Sequence, residues 1–253
     1  MKNHNTLNQY LLHLADNSLI LGHRNSECCG HGPILEQDIA ITNISLDLIG
    51  QARNFYQYAA KLKGDGTTED TLAYLRDNRE FRNCLLVEQP NGDWGKTILR
   101  QFFISTFQFF QYAQLEQSKD ATIAAISTKA LKEVTYHLRW SGEWVIRLGD
   151  GTEESHSRIL NAVEELWPFT GELFVPTSYE MEVAKMGMGT DPSSLQADWQ
   201  KKIEEIFHEA TIPLPPPGTW MQSGGKEGKH TEYMGFILAD LQFMQRTYPN
   251  AAW

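Results

Sequence analysis

From residue 34 to residue 62, apolar side chains recur at Ile34, Ile41, Leu48, Ala52, Phe55, Ala59 and Leu62. Their spacings of three, four and seven residues place them along one stripe of an α-helix. Pro33 suits the first helical position, and nothing interrupts the pattern before Gly64-Asp65-Gly66. At about 1.5 Å per residue the helix is about 40 Å long. A rod of that length needs equally long neighbours to bury its stripe, which restricts the chain to helix-on-helix packing. Ile39, Leu46 and Ile49 fall off the stripe on other sides, predicting a helix buried on more than one face and therefore central.

The required neighbours are legible. Leu7, Tyr10, Leu11, Leu14, Ser18 and Leu21 mark a first helix. Residues 67–92 contain shorter pieces at 71–76 and 80–87 and end at Gln89-Pro90-Asn91-Gly92, a crossover in place of a hairpin. Asp93 is a candidate N-cap for a third long helix carrying Ile98, Phe102, Phe103, Ser105, Phe107, Phe109, Phe110 and Tyr112, aromatic enough to require the interior. A fourth runs over 121–148 and stops at Gly149-Asp150-Gly151. Two long pairs joined by a long connection give an all-α, ferritin-like four-helix bundle. Further helices are expected at 155–170, 179–186, 194–210 and 231–247. No alternating strand pattern competes with this reading. The expected organisation is a single ferritin-like helical domain over 1–253, with a core bundle at about 7–149 and a C-terminal helical extension at about 150–253.

The balance of 22 Lys+Arg against 32 Asp+Glu gives a net charge of −10 without a basic block, which argues against a nucleic-acid or anionic-membrane partner. The segment MKNHNTLNQY is too polar for a signal peptide, and no stretch reaches the length of a membrane span, so a cytoplasmic location is expected. Cys28, Cys29 and Cys84 are too few and wrongly spaced for a disulfide framework.

A ferritin-like di-iron centre takes a carboxylate from each of two helices and Glu-x-x-His from each of the other two. The motif occurs as Glu153–His156, Glu205–His208 and Glu227–His230, in each case outside the four long helices. Glu205 and His208 also lie opposite the apolar stripe formed by Leu195, Trp199, Ile203, Ile206, Phe207 and Ala210. In the fourth helix His137 shares the inward stripe with Ile123, Ile126, Ala130, Val134, Ser141, Val145 and Leu148. Its neighbour three residues earlier is Val134 where a ligand would be Glu, so a core histidine bonded to Glu133 or a facing hydroxyl is expected.

Several runs then coincide with a known family: Leu46-Asp47-Leu48-Ile49-Gly50-Gln51-Ala52-Arg53, Leu86-Val87-Glu88-Gln89-Pro90-Asn91-Gly92, Tyr136-His137-Leu138-Arg139 and Gly224-Gly225-Lys226-Glu227-Gly228-Lys229-His230-Thr231-Glu232. In these the chain, from Tyr10 to Trp253, resembles the C subunits of the bacterial ring 1,2-phenylacetyl-CoA epoxidases. The resemblance implies a catalytic subunit of the same fold that carries di-iron and binds most of the phenylacetyl-CoA, and a reductase delivering electrons from NADPH. It also implies that this chain is a structural paralogue without catalytic, cofactor-binding or metal residues of its own. Laid over the catalytic pattern, the six ligand positions correspond to Ser18 (or Asn17), Leu48, Gln51, Ser105, Val134 and His137, of which only His137 keeps a ligand side chain. Asp16 and Asp47 lie close to that set. The competing readings are an autonomous di-iron oxygenase and a ferritin-like binding module unrelated to ring oxidation.

Two other groups bear on function. His23, Glu27, Cys28, Cys29 and His31 fall within nine residues, but adjacent cysteines chelate one tetrahedral ion poorly. In the loop at 224–229, Gly228-Lys229 is followed by His230 where a nucleotide-binding loop has Ser or Thr, and no strand precedes it. Lys226, Lys229 and His230 remain candidates to hold a partner carboxylate or a coenzyme A phosphate. The excess of apolar surface on helices 34–62 and 93–118 calls for a partner bundle as cover.

Overall fold

The computed structural model describes residues 2–249 and 251; Met1, Asn250, Ala252 and Trp253 lie outside the described residues. Among the described residues the chain is helical throughout, without a strand. Four long helices, α1 (Lys2–Ser26), α2 (Leu35–Lys63), α4 (Trp94–Leu115) and α5 (Ala121–Gly149), form the bundle. α1 packs along α2 and α4 along α5, and a further contact of α2 with α5 joins the two hairpins. Between them the crossover holds α3 (Glu69–Tyr74) and two 3-10 turns, Asn78–Glu80 and Leu85–Glu88. The arrangement is the ferritin-like bundle that the periodicity predicts.

Most ends follow from local chemistry. Asp93 caps α4 by accepting from the Lys96 N–H, and Asp120 caps α5 by accepting from Thr122 and Ile123. Gly64 ends α2 in the left-handed conformation at φ 64°, where a side chain would be strained. The start of α2 differs from expectation. Pro33 does not open it; Ile34 is the extended N-cap, and the Asp38 carboxylate from the first turn reaches back to accept from Gly30 and Gly32. A Cβ on Gly32 would lie 2.7 Å from Asp38, so the turn depends on glycine there. The expected helix at 80–87 is replaced by the 3-10 turns, because the segment is held by long-range bonds described below.

The C-terminal half adds α6 (Glu153–Leu166), α7 (Ser178–Lys185), α8 (Gln196–Glu209) and α9 (Glu232–Thr247). α6 and α8 pack on α4 and α5. The ring of Phe103 in α4 meets Trp167, Trp199 and Phe207 at centroid separations of 5.9, 5.7 and 6.1 Å. These aromatic contacts explain the density of Phe in α4: it is covered from both sides by its own chain, and its apolar excess is not left for a partner.

α2 behaves oppositely. Ile41, Leu48, Ala52, Phe55 and Ala59 are buried, but Leu35, Ile39, Leu46 and Ile49 are exposed, Leu46 at 62 %. The expectation that α2 is buried on more than one face within this chain is therefore corrected. Among the described residues the helices of the C-terminal half pack elsewhere, α6 and α8 on α4 and α5, α7 on α1, and α9 on α1 and α3. About 100° per residue puts the four exposed side chains on one outward stripe.

Candidate functional site at the bundle centre

Ser18, Leu48, Gln51, Ser105, Val134 and His137, contributed by all four long helices, are buried. Two are aliphatic and fill space. The Ser18 hydroxyl donates to the Leu14 carbonyl of its own helix, and Ser105 accepts from Gln101 at 2.7 Å. Gln51 is more connected: its amide nitrogen donates to Glu133 Oε2 at 3.0 Å, and its carbonyl oxygen accepts from the Tyr112 hydroxyl at 3.2 Å. Burial, partly offset by the neighbouring Ser18 hydroxyl, pushes the Tyr112 phenol well above its ordinary pKa and keeps it a neutral donor.

His137 is fully buried, and its Nε2 lies 3.0 Å from Asp47 Oδ2. The partner is thus Asp47 of α2, not Glu133 or a hydroxyl, because Gln51 takes Glu133. Asp47 itself is 38 % exposed. Its carboxylate reaches in from the surface, while His137 Nδ1 is buried without a hydrogen-bond partner. Among the described residues no three His, Cys, Asp or Glu side chains converge as a metal would require. A di-iron centre needs about four carboxylates to balance its charge and offset dehydration. One imidazole, one surface carboxylate, a serine pair and two aliphatic side chains do not fit such a group.

The three Glu-x-x-His pairs serve other ends. His156 Nδ1 is 2.6 Å from the Gly149 carbonyl at the turn between α5 and α6. Glu205 pairs with Lys202 on the solvent face of α8, and His208 is exposed. Glu227 is exposed, while His230 turns inward to Glu88 at 3.1 Å. The group near α1's end keeps one internal side-chain contact, His23 Nε2 at 3.8 Å from Glu27 Oε1, and otherwise disperses. Cys28 approaches Thr97, Cys29 accepts from Thr42, Glu27 pairs with Arg24, and His31 contacts the Cys29 carbonyl.

The loop at 224–229 requires a correction. Lys226 does not reach outward: its ammonium donates to the Leu173 and Val175 carbonyls at 3.2 and 3.1 Å and pairs with buried Glu180 at 3.1 Å. Glu172 accepts from the backbone of Gly224 and Leu85, pinning the loop against the crossover. Gly225 is required at that contact, since a Cβ would sit 2.3 Å from the Asn83 carbonyl oxygen. Of the three candidates, only Lys229 remains exposed.

Sequence reasoning missed these buried charges. Asp16 in α1 receives Arg76, the Tyr56 hydroxyl and the Arg82 N–H. Glu180 faces both Lys226 and His13, and Glu88 binds His230 and the Thr231 N–H. Arg100 is buried with only neutral acceptors, the Gln89 carbonyl and the Asn25 and Asn91 side chains, and burial brings its pKa down to about 10. The charged partners of Asp16, Glu180 and Glu88 lie tens of residues away in sequence, so no local spacing announces them.

A ferritin-like bundle with a filled centre, an aromatic C-terminal cover and an unpartnered apolar stripe defines the class of protein. Comparison with known proteins then identifies the family. The model of the phenylacetic acid catabolic protein family matches residues 1–253, and the chain belongs to that family. It is 47% identical over 249 residues, 98% of this chain and 100% of the relative, to the C subunit of the 1,2-phenylacetyl-CoA epoxidase of Escherichia coli strain K12. No helix among the described residues is long and apolar enough to cross a membrane.

Proposed function

We propose that this chain is a non-catalytic structural subunit of a 1,2-phenylacetyl-CoA epoxidase, acting in phenylacetate catabolism beside a di-iron catalytic subunit. The observation that carries the reading is the filled bundle interior: at positions the resemblance assigns to iron ligands, Leu48 and Val134 are buried core residues, and Gln51 bonds to Tyr112 and Glu133. The name of the Escherichia coli relative supports the assignment. In this reading the partner holds the iron and most of the phenylacetyl-CoA. It epoxidises the aromatic ring with O2 and electrons that a reductase draws from NADPH. This chain contributes no cofactor; it binds the catalytic subunit and keeps that subunit's helices in working geometry. The exposed stripe Leu35, Ile39, Leu46 and Ile49 is the surface such a partner covers, since a row of four large aliphatic side chains loses its hydration cost only when another helix packs on it.

The test mixes separately purified chain and candidate catalytic subunit. The chain alone is expected to contain well under one iron per protomer, to associate with the partner, and to lose that association in Leu46→Arg without a change in its own stability beyond about 0.5 kcal/mol. Near-stoichiometric iron in this chain, or a partner fully active in its absence, would refute the reading.

A further inference from the structure

A second apolar surface lies on α9, away from the α2 stripe. α9 rests on α3, α1 and the crossover turns, and its outer side exposes Phe236 at 68 % and Phe243 at 60 %. Beside Phe243, between α9 and the turn at Asp77-Asn78, lies an open groove of about 370 Å³ lined by Gly235, Ala239, Phe243, Arg246 and Asp77. A Cβ built on Gly235 meets nothing within 4 Å, so the groove floor is empty at that point.

The order of residues on this face is self-complementary about Ala239. Gly235 and Phe243 each lie four residues from it, and Glu232 and Arg246 each lie seven. At about 100° per residue all of them fall within about 40° of Ala239 around the helix. Two copies of α9 laid antiparallel across a two-fold axis at Ala239 would therefore set each Phe243 ring over the other copy's Gly235. The same register sets each Glu232 against the other copy's Arg246. The small Gly235 and Ala239 permit close approach of the helix axes, and Phe236 borders the seam. Arg246 is already oriented at the groove rim by Asp77 and by the carbonyls of Leu75 and Arg76. A two-fold interface requires residue i to meet j while j meets i, and the face meets that requirement in both shape and charge.

We propose that α9 is a homotypic docking surface by which two copies of this chain associate antiparallel about Ala239, leaving the α2 stripe free. α9 has 16 residues, about 24 Å, so the pair buries less than the roughly 1,200 Å² of a standard stable interface, and dissociation in the micromolar range is expected.

The experiment is sedimentation equilibrium on the full chain from about 1 to about 200 µM, a range that brackets such a constant. A reversible monomer–dimer equilibrium is expected. Gly235→Gln fills the groove at a position with open space around it; it should retain the native circular dichroism and melting temperature while weakening the dimer at least about tenfold. Glu232→Arg and Arg246→Glu should each weaken self-association, and an equimolar mixture of the two should restore it, because every introduced charge then faces an opposite one. A chain that stays monomeric throughout the range would overturn the proposal. So would a dimer indifferent to Gly235→Gln, or well-folded charge variants that fail to pair on mixing. Loss of binding to a catalytic partner in Gly235→Gln, without any homodimer, would assign α9 to that partner and overturn it too.

Discussion

Replacing Asp16 by Asn removes one charge and almost no volume from a buried site. Asp16 is fully buried, and Arg76 opposite it is 8 % exposed. The carboxylate accepts from both terminal nitrogens of Arg76, from Tyr56 at 2.5 Å and from the Arg82 N–H at 2.7 Å. Burial alone pulls the Arg76 pKa down, but Asp16 and Tyr56 outweigh it and hold the guanidinium above its ordinary value. With Asn, Arg76 keeps its charge and its stacking on Phe81, 4.1 Å from the ring centre, but loses the carboxylate that chiefly offsets its desolvation, Glu80 contributing less. Breaking a buried pair from one side costs about 3–5 kcal/mol. At a urea m-value of about 3 kcal/mol/M this is a drop in midpoint of about 1 M or more, read by tryptophan fluorescence and circular dichroism in coincidence. Arg76→Met keeps the stacked alkyl volume, so the double variant should recover a large part of the loss of Asp16→Asn. A midpoint change below about 0.3 M for Asp16→Asn, or losses that simply add in the double variant, would show that the pair does not hold α1 to the crossover.

Other buried groups set further outcomes. Burial lowers the pKa of His13 and of His23, with Glu180 and Glu27 opposing it only in part. Below about pH 6.5 the unfolded chain therefore takes up protons that the folded chain refuses, stability rises with pH through that interval, and it declines as pH falls from 7 toward 5. Melting temperatures across this range should show the decline, and His13→Asn should make it shallower; an unchanged slope would count against the assignment. Gly149→Ala would place a Cβ 2.2 Å from the Ala210 carbonyl oxygen and should cost about 1–3 kcal/mol, whereas Gly50→Ala, with nothing within 4 Å, should gain up to about 1 kcal/mol by chemical denaturation. His137→Gln should cost only about 1 kcal/mol, because the Asp47 carboxylate it releases is already partly in water, and the assembled complex should keep its turnover. Loss of turnover with stability and assembly intact would give His137 a working role.

The apolar stripes of the four long helices, and the capping residues Asp93 and Asp120, are local facts: a helix face and a cap depend on neighbours within about one or two turns, so the bundle and most element ends are determined by sequence alone. That Leu48 and Val134 face the bundle interior is legible in the same way, because each lies on the inward stripe of its helix. Tertiary structure decided what no spacing contains. Gln51 claims Glu133, leaving His137 to Asp47, and Lys226 and His230 turn inward to Glu180 and Glu88. The Phe-rich face of α4 is covered by α6 and α8, whereas the Leu46 side of α2 stays exposed among the described residues. Each of these outcomes depends on which distant element arrives at a given face. A buried charge is settled by whichever counter-charge or polar acceptors the packing brings within reach, and periodicity specifies that a face is apolar without specifying what will lie on it.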